Sequence, residues 1–209
     1  MAELVLQPGL FQYRAGSRDE SVSEGSEDDA LAERVRSSGD VAAFSMLVTR
    51  YRGRLIALAR RMLPGSSSDE AEDMAQEAFV AAYAKRTSFR KGESFRPWLY
   101  KIAVNRCLDR LRTLSRRPVT IEIGRLSEPK VFGNGPEELL LLNESEARLQ
   151  AAVAALPPKL RVVFVLRHLD DLSYDEIAAA TGLPLGTVKT NLFRARAELR
   201  TALSEYLKP

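Results

Sequence analysis

Cysteine and histidine are almost missing from this chain, with Cys107 and His168 the sole examples in 209 residues. A single thiol forms no internal disulfide, and one Cys with one His is too small a set to hold zinc. No G-x-S-x-G nucleophile motif accompanies His168, which therefore reads as structural rather than catalytic. Cys107 falls among apolar helix positions and reads as a small core residue. The phosphate-cradling patterns G-x-x-x-x-G-K-S/T and G-x-G-x-x-G do not occur. Nor does any stretch approach the ~20 uncharged apolar residues that cross a bilayer. The first thirty residues lack the basic, apolar and small-residue order of a secretory signal. The expectation is a cytoplasmic protein with no membrane insertion, no metal, no cofactor and no active site of its own.

What is present is charge, arranged in blocks. The formal net charge is only +3, but residues 1–40 carry nine acids against four bases. Between Asp69 and Glu77 there are five acids and no base. Between Lys85 and Arg117 there are eleven bases and two acids, Glu93 and Asp109. A basic block draws a polyanion through counterion release, whereas an acidic block resists the same polyanion and suits a basic protein surface. A charge run is more often a solvated face. Here aromatics and an Asn are interleaved with the bases, which favours nucleic acid.

Hydrophobic periodicity organises the rest into an all-α protein of two small helical domains joined by a flexible linker. Residues 1–29, rich in Ser, Gly, Glu and Asp, read as an acidic disordered tail. From Val41, the positions Phe44, Val48, Tyr51, Leu55, Leu58 and Met62 form one stripe of an amphipathic helix ended by Pro64-Gly65. Ser66 to Asp69 supply caps for a second helix reaching about Lys85. After a loop over 88–94, a third helix is predicted from Pro97 to Leu114. Residues 118–136 hold three prolines and three glycines without periodicity. A compact domain rarely contains a structureless loop beyond ~12–15 residues, so this stretch divides a domain at 30–117 from one at 137–209. Helical spacing resumes with Leu142, Leu149, Val153 and Leu156.

The C-terminal third carries the most specific local signal. Ser173-Tyr174-Asp175-Glu176 fits a capping box, and Gly182 suits the left-handed residue that ends a helix. A second helix then opens near Gly186 and runs to about Leu203, burying Val188 and Leu192. Two helices across a tight Gly turn make a helix-turn-helix, with Ile177 and the small Ala178 facing inward. Thr187, Lys189, Thr190, Asn191, Arg194 and Arg196 are left largely outside, with Phe193 at the margin. Arg and Lys suit guanine edges or phosphates, Asn suits adenine and Thr suits either. The plainer reading, two short helices packed in a bundle with solvated bases, loses ground because the capping box, the turn Gly and the basic second helix agree.

These residues resemble a known family. The string DLSYDEIAAATGLPLGTVKTNLFRARAEL over 171–199 is similar to region 4 of bacterial sigma factors of the extracytoplasmic-function (ECF) group within the sigma-70 family. DEAEDMAQEAFVAAY over 69–83 resembles their region 2.2, and SFRPWLYKIAVNRCLDRLR over 94–112 their regions 2.3 and 2.4. The likeness covers roughly residues 30–115 and 136–207, in the order of a two-domain ECF factor.

The resemblance implies a promoter-specificity subunit for core RNA polymerase that helps open the duplex without catalysing nucleotide transfer. Asp73, Gln76, Glu77 and Phe79 then fall at positions that dock on the polymerase beta-prime coiled coil, with the beta flap a second contact. Phe95, Trp98, Lys101, Asn105 and Arg106 fall at the minus 10 element, the loop 88–95 and Asn105 forming a pocket for a flipped base. A core-anchor role for Trp98 outweighs direct stacking. Thr187, Lys189, Thr190, Phe193, Arg194 and Arg196 fall at the minus 35 element. Thr190-Asn191 stands where the family often has Ser-Arg, which puts one contact there in doubt. The resemblance also implies an anti-sigma partner. Two other readings stay open: a stand-alone helix-turn-helix regulator of duplex DNA, which leaves the acidic and basic blocks unused, and an adaptor that sequesters other regulators.

Overall fold

The computed structural model describes residues 18–116, 144–169 and 171–204, with side chains over 25–114, 147–168 and 171–204. Among these the structure is helical. Helices α1 (Arg18–Ser38), α2 (Val41–Met62), α3 (Ser68–Ala84) and α4 (Phe95–Arg116) form a first unit, with one 3-10 turn at Arg86–Ser88. Helices α5 (Glu144–Ala155), α6 (Pro158–Leu169), α7 (Tyr174–Thr181) and α8 (Leu185–Ala202) form a second. The linker expected over 118–136 and the periodic Leu142 lie outside the described residues.

Local chemistry sets the boundaries. Asp40 caps α2 by accepting the Ala43 amide at 2.9 Å, and the preceding Gly39 turns at φ 69°. Ser67 caps α3 by accepting the Glu70 amide at 3.1 Å. Along α2, Leu47, Tyr51, Leu55, Leu58 and Met62 recur at steps of four and three and are buried. Phe44 and Val48, expected on that stripe, lie at its edge and are only partly covered. Buried Ala71, Ala75, Ala78 and Ala82 give α3 a small-residue face against α2. The periodicity places Leu114 on the apolar side of α4, but it is exposed.

The acidic tail requires correction. Helix α1 begins at Arg18, so at least residues 18–29 of the expected disordered stretch are helical. Composition treats each acid as a solvating group, whereas here three consecutive acids serve as acceptors for the rest of the fold. Glu27 and Asp28 both pair with Arg50, Asp28 also accepts from the Tyr51 hydroxyl, and Asp29 accepts from the Phe95 amide.

The two units pack together: α7 lies against α4 and α6 against α2, and one apolar cluster runs through both. Arg161, 6% exposed, bridges them. Its guanidinium donates to the Met62 carbonyl at 2.9 Å, Ala154 at 2.5 Å and Leu156 at 2.8 Å, so one cation meets the C-terminal ends of α2 and α5. Helix C-termini leave carbonyls without intrahelical partners, and a cation there also meets the negative end of the dipole.

Candidate nucleic-acid interface

In α7 the capping box is formed on both sides. The Glu176 amide donates to Ser173 Oγ at 3.2 Å, and the Ser173 amide to Glu176 Oε2 at 2.8 Å. Gly182 sits in the left-handed region at φ 72° and donates to the Ala178 carbonyl at 2.8 Å. Ile177 and Ala180 are buried, and Ala178 is partly so. Helix α8 buries Val188, Leu192, Ala195 and Leu199 on one side. The opposite side exposes Thr187, Lys189, Thr190, Phe193 and Arg194, while Arg196 and Asn191 are half-buried at its borders. Phe193 is 74% exposed, a large bare apolar surface for a helix whose core is already filled. Thr190 Oγ1 donates to the Gly186 carbonyl at 2.9 Å, which leaves its lone pairs turned outward as acceptors. Among the described residues no carboxylate lies within ion-pair distance of Lys189, Arg194 or Arg196.

His168 packs against Phe164, with ring centroids 4.3 Å apart and the planes tilted by 34°. Burial, aided by the nearby Arg196 and Arg167 charges, pulls its pKa down to about 4, so the ring is neutral near pH 7. Burial likewise pushes the Cys107 thiol up to about 12, which leaves it protonated and unreactive.

The second basic surface is α4. Trp98 is half-buried, and Lys101, Asn105 and Arg106 are exposed. Phe95 is the one expected DNA contact that the structure buries, at 2% exposure. Its ring lies 5.7 Å from Tyr51, 6.2 Å from Phe89 and 5.8 Å from Trp98, so it braces the surface and offers no free face to a base. Trp98 meets Phe89 at 5.4 Å, which agrees with its anchor reading. The loop before α4 turns at Gly92, φ 87°. Arg106 lies 3.6 Å from Glu77, and Arg110 Nη2 lies 2.6 Å from Glu70 Oε1.

A third surface lies on α3. Asp73, Gln76 and Glu77 are exposed, and Glu77 is turned toward α4 through Arg106. Beside them an open cleft of about 480 Å³ runs between α2 and α3, lined by Phe44, Val48, Ala75, Gln76, Phe79 and Tyr83 among others. Phe79 is mostly core, with only its edge on this cleft. Val80, 64% exposed, adds an apolar point to the rim. Neither the cleft nor the roles of Asp29 and Arg161 could be read from periodicity, because each depends on helices brought together in space.

An acidic helix, a basic helix with an aromatic brace and a helix-turn-helix, in this order, define a protein of the sigma-70 type. Residues 47–117 match the model of Sigma-70 region 2 and residues 146–199 that of Sigma-70, region 4. The chain is 38% identical over 182 residues to the ECF RNA polymerase sigma-E factor of Escherichia coli strain K12, covering 84% of this chain and 93% of that one. It is 36% identical over 191 residues to the RNA polymerase sigma-H factor of Pseudomonas aeruginosa strain PAO1, covering 87% and 96%. Among solved structures it is similar to CnrH in complex with the cytosolic domain of CnrY, with TM-score 0.66, 27% identity and 87% and 99% of the two chains covered. It is also similar to the sigma factor RpoE bound to the anti-sigma factor NepR from Bartonella quintana, with TM-score 0.63, 26% identity and 78% and 98% covered. The chain belongs to the ECF sigma factors and is a promoter-recognition factor for transcription initiation, a family whose members are not enzymes.

Proposed function

We propose that this chain binds core RNA polymerase through α3, reads the minus 10 element through α4 and the loop before it, and reads the minus 35 element through α8. The observation that carries the reading is the preformed outer face of α8, where Lys189, Thr190, Phe193 and Arg194 stand exposed on a helix whose start and turn are already fixed. Asp73, Gln76, Glu77 and the cleft edge at Phe79 are assigned to the beta-prime coiled coil, where acids facing a basic helix pair favour fast and specific encounter. Lys101, Asn105 and Arg106 are assigned to the melted minus 10 strand, with Trp98 and Phe95 holding the surface from behind. Extruding a base costs a few kcal/mol, which edge contacts and stacking offset. Thr187 and Arg196 flank the minus 35 contacts, Arg196 on phosphate. The work is cytoplasmic, residues 118–136 span between the two DNA-reading units, and an anti-sigma factor is the expected regulator. No helix among the described residues is long and apolar enough to cross a membrane.

The test is transcription from a promoter library by core RNA polymerase with and without the chain. New start sites that share two spaced elements are the expected result. No new starts together with no core binding by gel filtration overturns the reading in favour of a stand-alone DNA-binding regulator.

A further inference from the structure

The acidic residues 27–29 have no part in the promoter reading, yet they sit where α1, α2 and α4 converge. Asp28 and Asp29 are neighbours on α1 whose carboxylates serve different helices. Asp28, 2% exposed, holds α2 by accepting the Tyr51 hydroxyl at 2.5 Å and pairing with Arg50. Asp29 turns to α4. Its Oδ1 accepts the Phe95 amide at 2.6 Å, and Ser94 Oγ donates to its Oδ2 at 3.5 Å.

Phe95 is the first residue of α4, so its amide is one of the donors that a helix start leaves without an intrahelical acceptor. The side chain immediately ahead of a helix ordinarily caps the amides two and three residues on, and the third residue here is Pro97, which has no N–H. Ser94 occupies that place, but its hydroxyl turns to Asp29, and the acceptor arrives from a helix 66 residues upstream. The carboxylate makes a charge-assisted bond and meets the positive end of the α4 dipole. It thereby sets where α4 begins, and with it Phe95, whose ring touches both Phe89 and Trp98. Phe89 is the buried anchor of the loop over 89–94, which closes on itself through Glu93 and the Arg90 amide at 3.2 Å.

We propose that Asp29 is a positioning residue for minus 10 recognition: it caps α4 from a distance and so seats the aromatic brace and loop that face the melted strand. It touches no base, and the inference rests on the assignment of α4 and that loop to the minus 10 element.

The experiment uses full-length Asp29→Ala and Asp29→Asn with core RNA polymerase, following promoter opening by 2-aminopurine fluorescence on a parent promoter and on single-base minus 10 variants. Core affinity and minus 35 duplex binding are measured in parallel. D29A is expected to slow opening roughly three- to thirtyfold, the scale of a lost helix cap, and to flatten discrimination among minus 10 variants. D29N, whose amide oxygen still accepts, restores both, and the two parallel affinities stay at wild-type values. The proposal is overturned by wild-type opening in D29A, by equal slowing on every minus 10 sequence, by joint loss of core and minus 35 binding, or by a D29N as defective as D29A. Asn105→Ala separates the two levels. If it discriminates minus 10 bases normally, the assignment of α4 itself fails; if it loses discrimination while D29A keeps it, only Asp29 is misassigned.

Discussion

Helices α4 and α8 both present bases to solvent, yet their electrostatic settings are opposite. On α4, Arg106 faces Glu77, Arg110 is held by Glu70 and Arg112 by Asp109. On α8, Lys189, Arg194 and Arg196 meet no carboxylate within ion-pair distance among the described residues. The basic face of the first unit is already partly engaged with acids, chiefly those of α3, whereas that of the second is bare among the described residues. The units are also held together differently: α1 grips its neighbours with acids, while the helix-turn-helix relies on a capping box, a left-handed Gly and apolar packing.

The strongest way to test that contrast is Asp28→Ala. Removing Asp28 leaves the buried Tyr51 hydroxyl without its acceptor and Arg50 with Glu27 as its one remaining carboxylate partner among the described residues, a cost of about 3 kcal/mol. Urea melts should show a collapse in stability on that scale. Survival with a loss below about 1 kcal/mol would show that the charges of α1 are incidental to its packing.

The second unit has its own titratable weak point. His168 carries a pKa of about 4 in the fold against 6.5 as its ordinary value. Between these the unfolded chain binds more protons than the folded one, so stability is fully present above pH 6.5 and falls as the pH drops toward 4. The full shift corresponds to about 3 kcal/mol, and the partial exposure of the ring brings the expected loss to about 2 kcal/mol. Thermal melts across that window should slope in the wild type and flatten in His168→Asn.

Arg194→Ala addresses the bare face directly. Minus 35 duplex affinity should fall by about 1–2 kcal/mol and the salt slope by about one, with core assembly intact. Normal promoter binding by this variant would remove α8 as the reading helix. The smallest effect belongs to the paired face. A double-mutant cycle of Glu77→Ala and Arg106→Ala should give a coupling below about 1 kcal/mol in the free protein, as expected for two half-exposed groups. With core polymerase bound, that coupling should vanish if the coiled coil takes Glu77 away from Arg106. A coupling that persists would separate Glu77 from docking.

Local patterns carried much of this structure. The helix-turn-helix was legible to within a residue at each end of its second helix, because a capping box and a Gly at φ 72° are solved by neighbours in sequence. The start of α4 was not: Pro97 is a good first-turn residue, yet the helix opens at Phe95 because a carboxylate from α1 satisfies that amide. Phe95 looked like a surface contact for the same reason, since nothing in its own segment reveals the rings of Tyr51 and Phe89. Residues 18–29 misled most, because acidic composition is a guide to solvation only when the acids lack partners.

Glu176 serves two helices at once across the seam between the units. Its Oε2 closes the capping box on the Ser173 amide, and its Oε1 lies 3.8 Å from Arg96 at the start of α4. Ser173 and Arg96 share this one carboxylate as an intermediary. In a deep mutational scan the two positions should show epistasis, each substitution altering the tolerance of the other through the rotamer of Glu176, and the signal should disappear in a Glu176→Gln background.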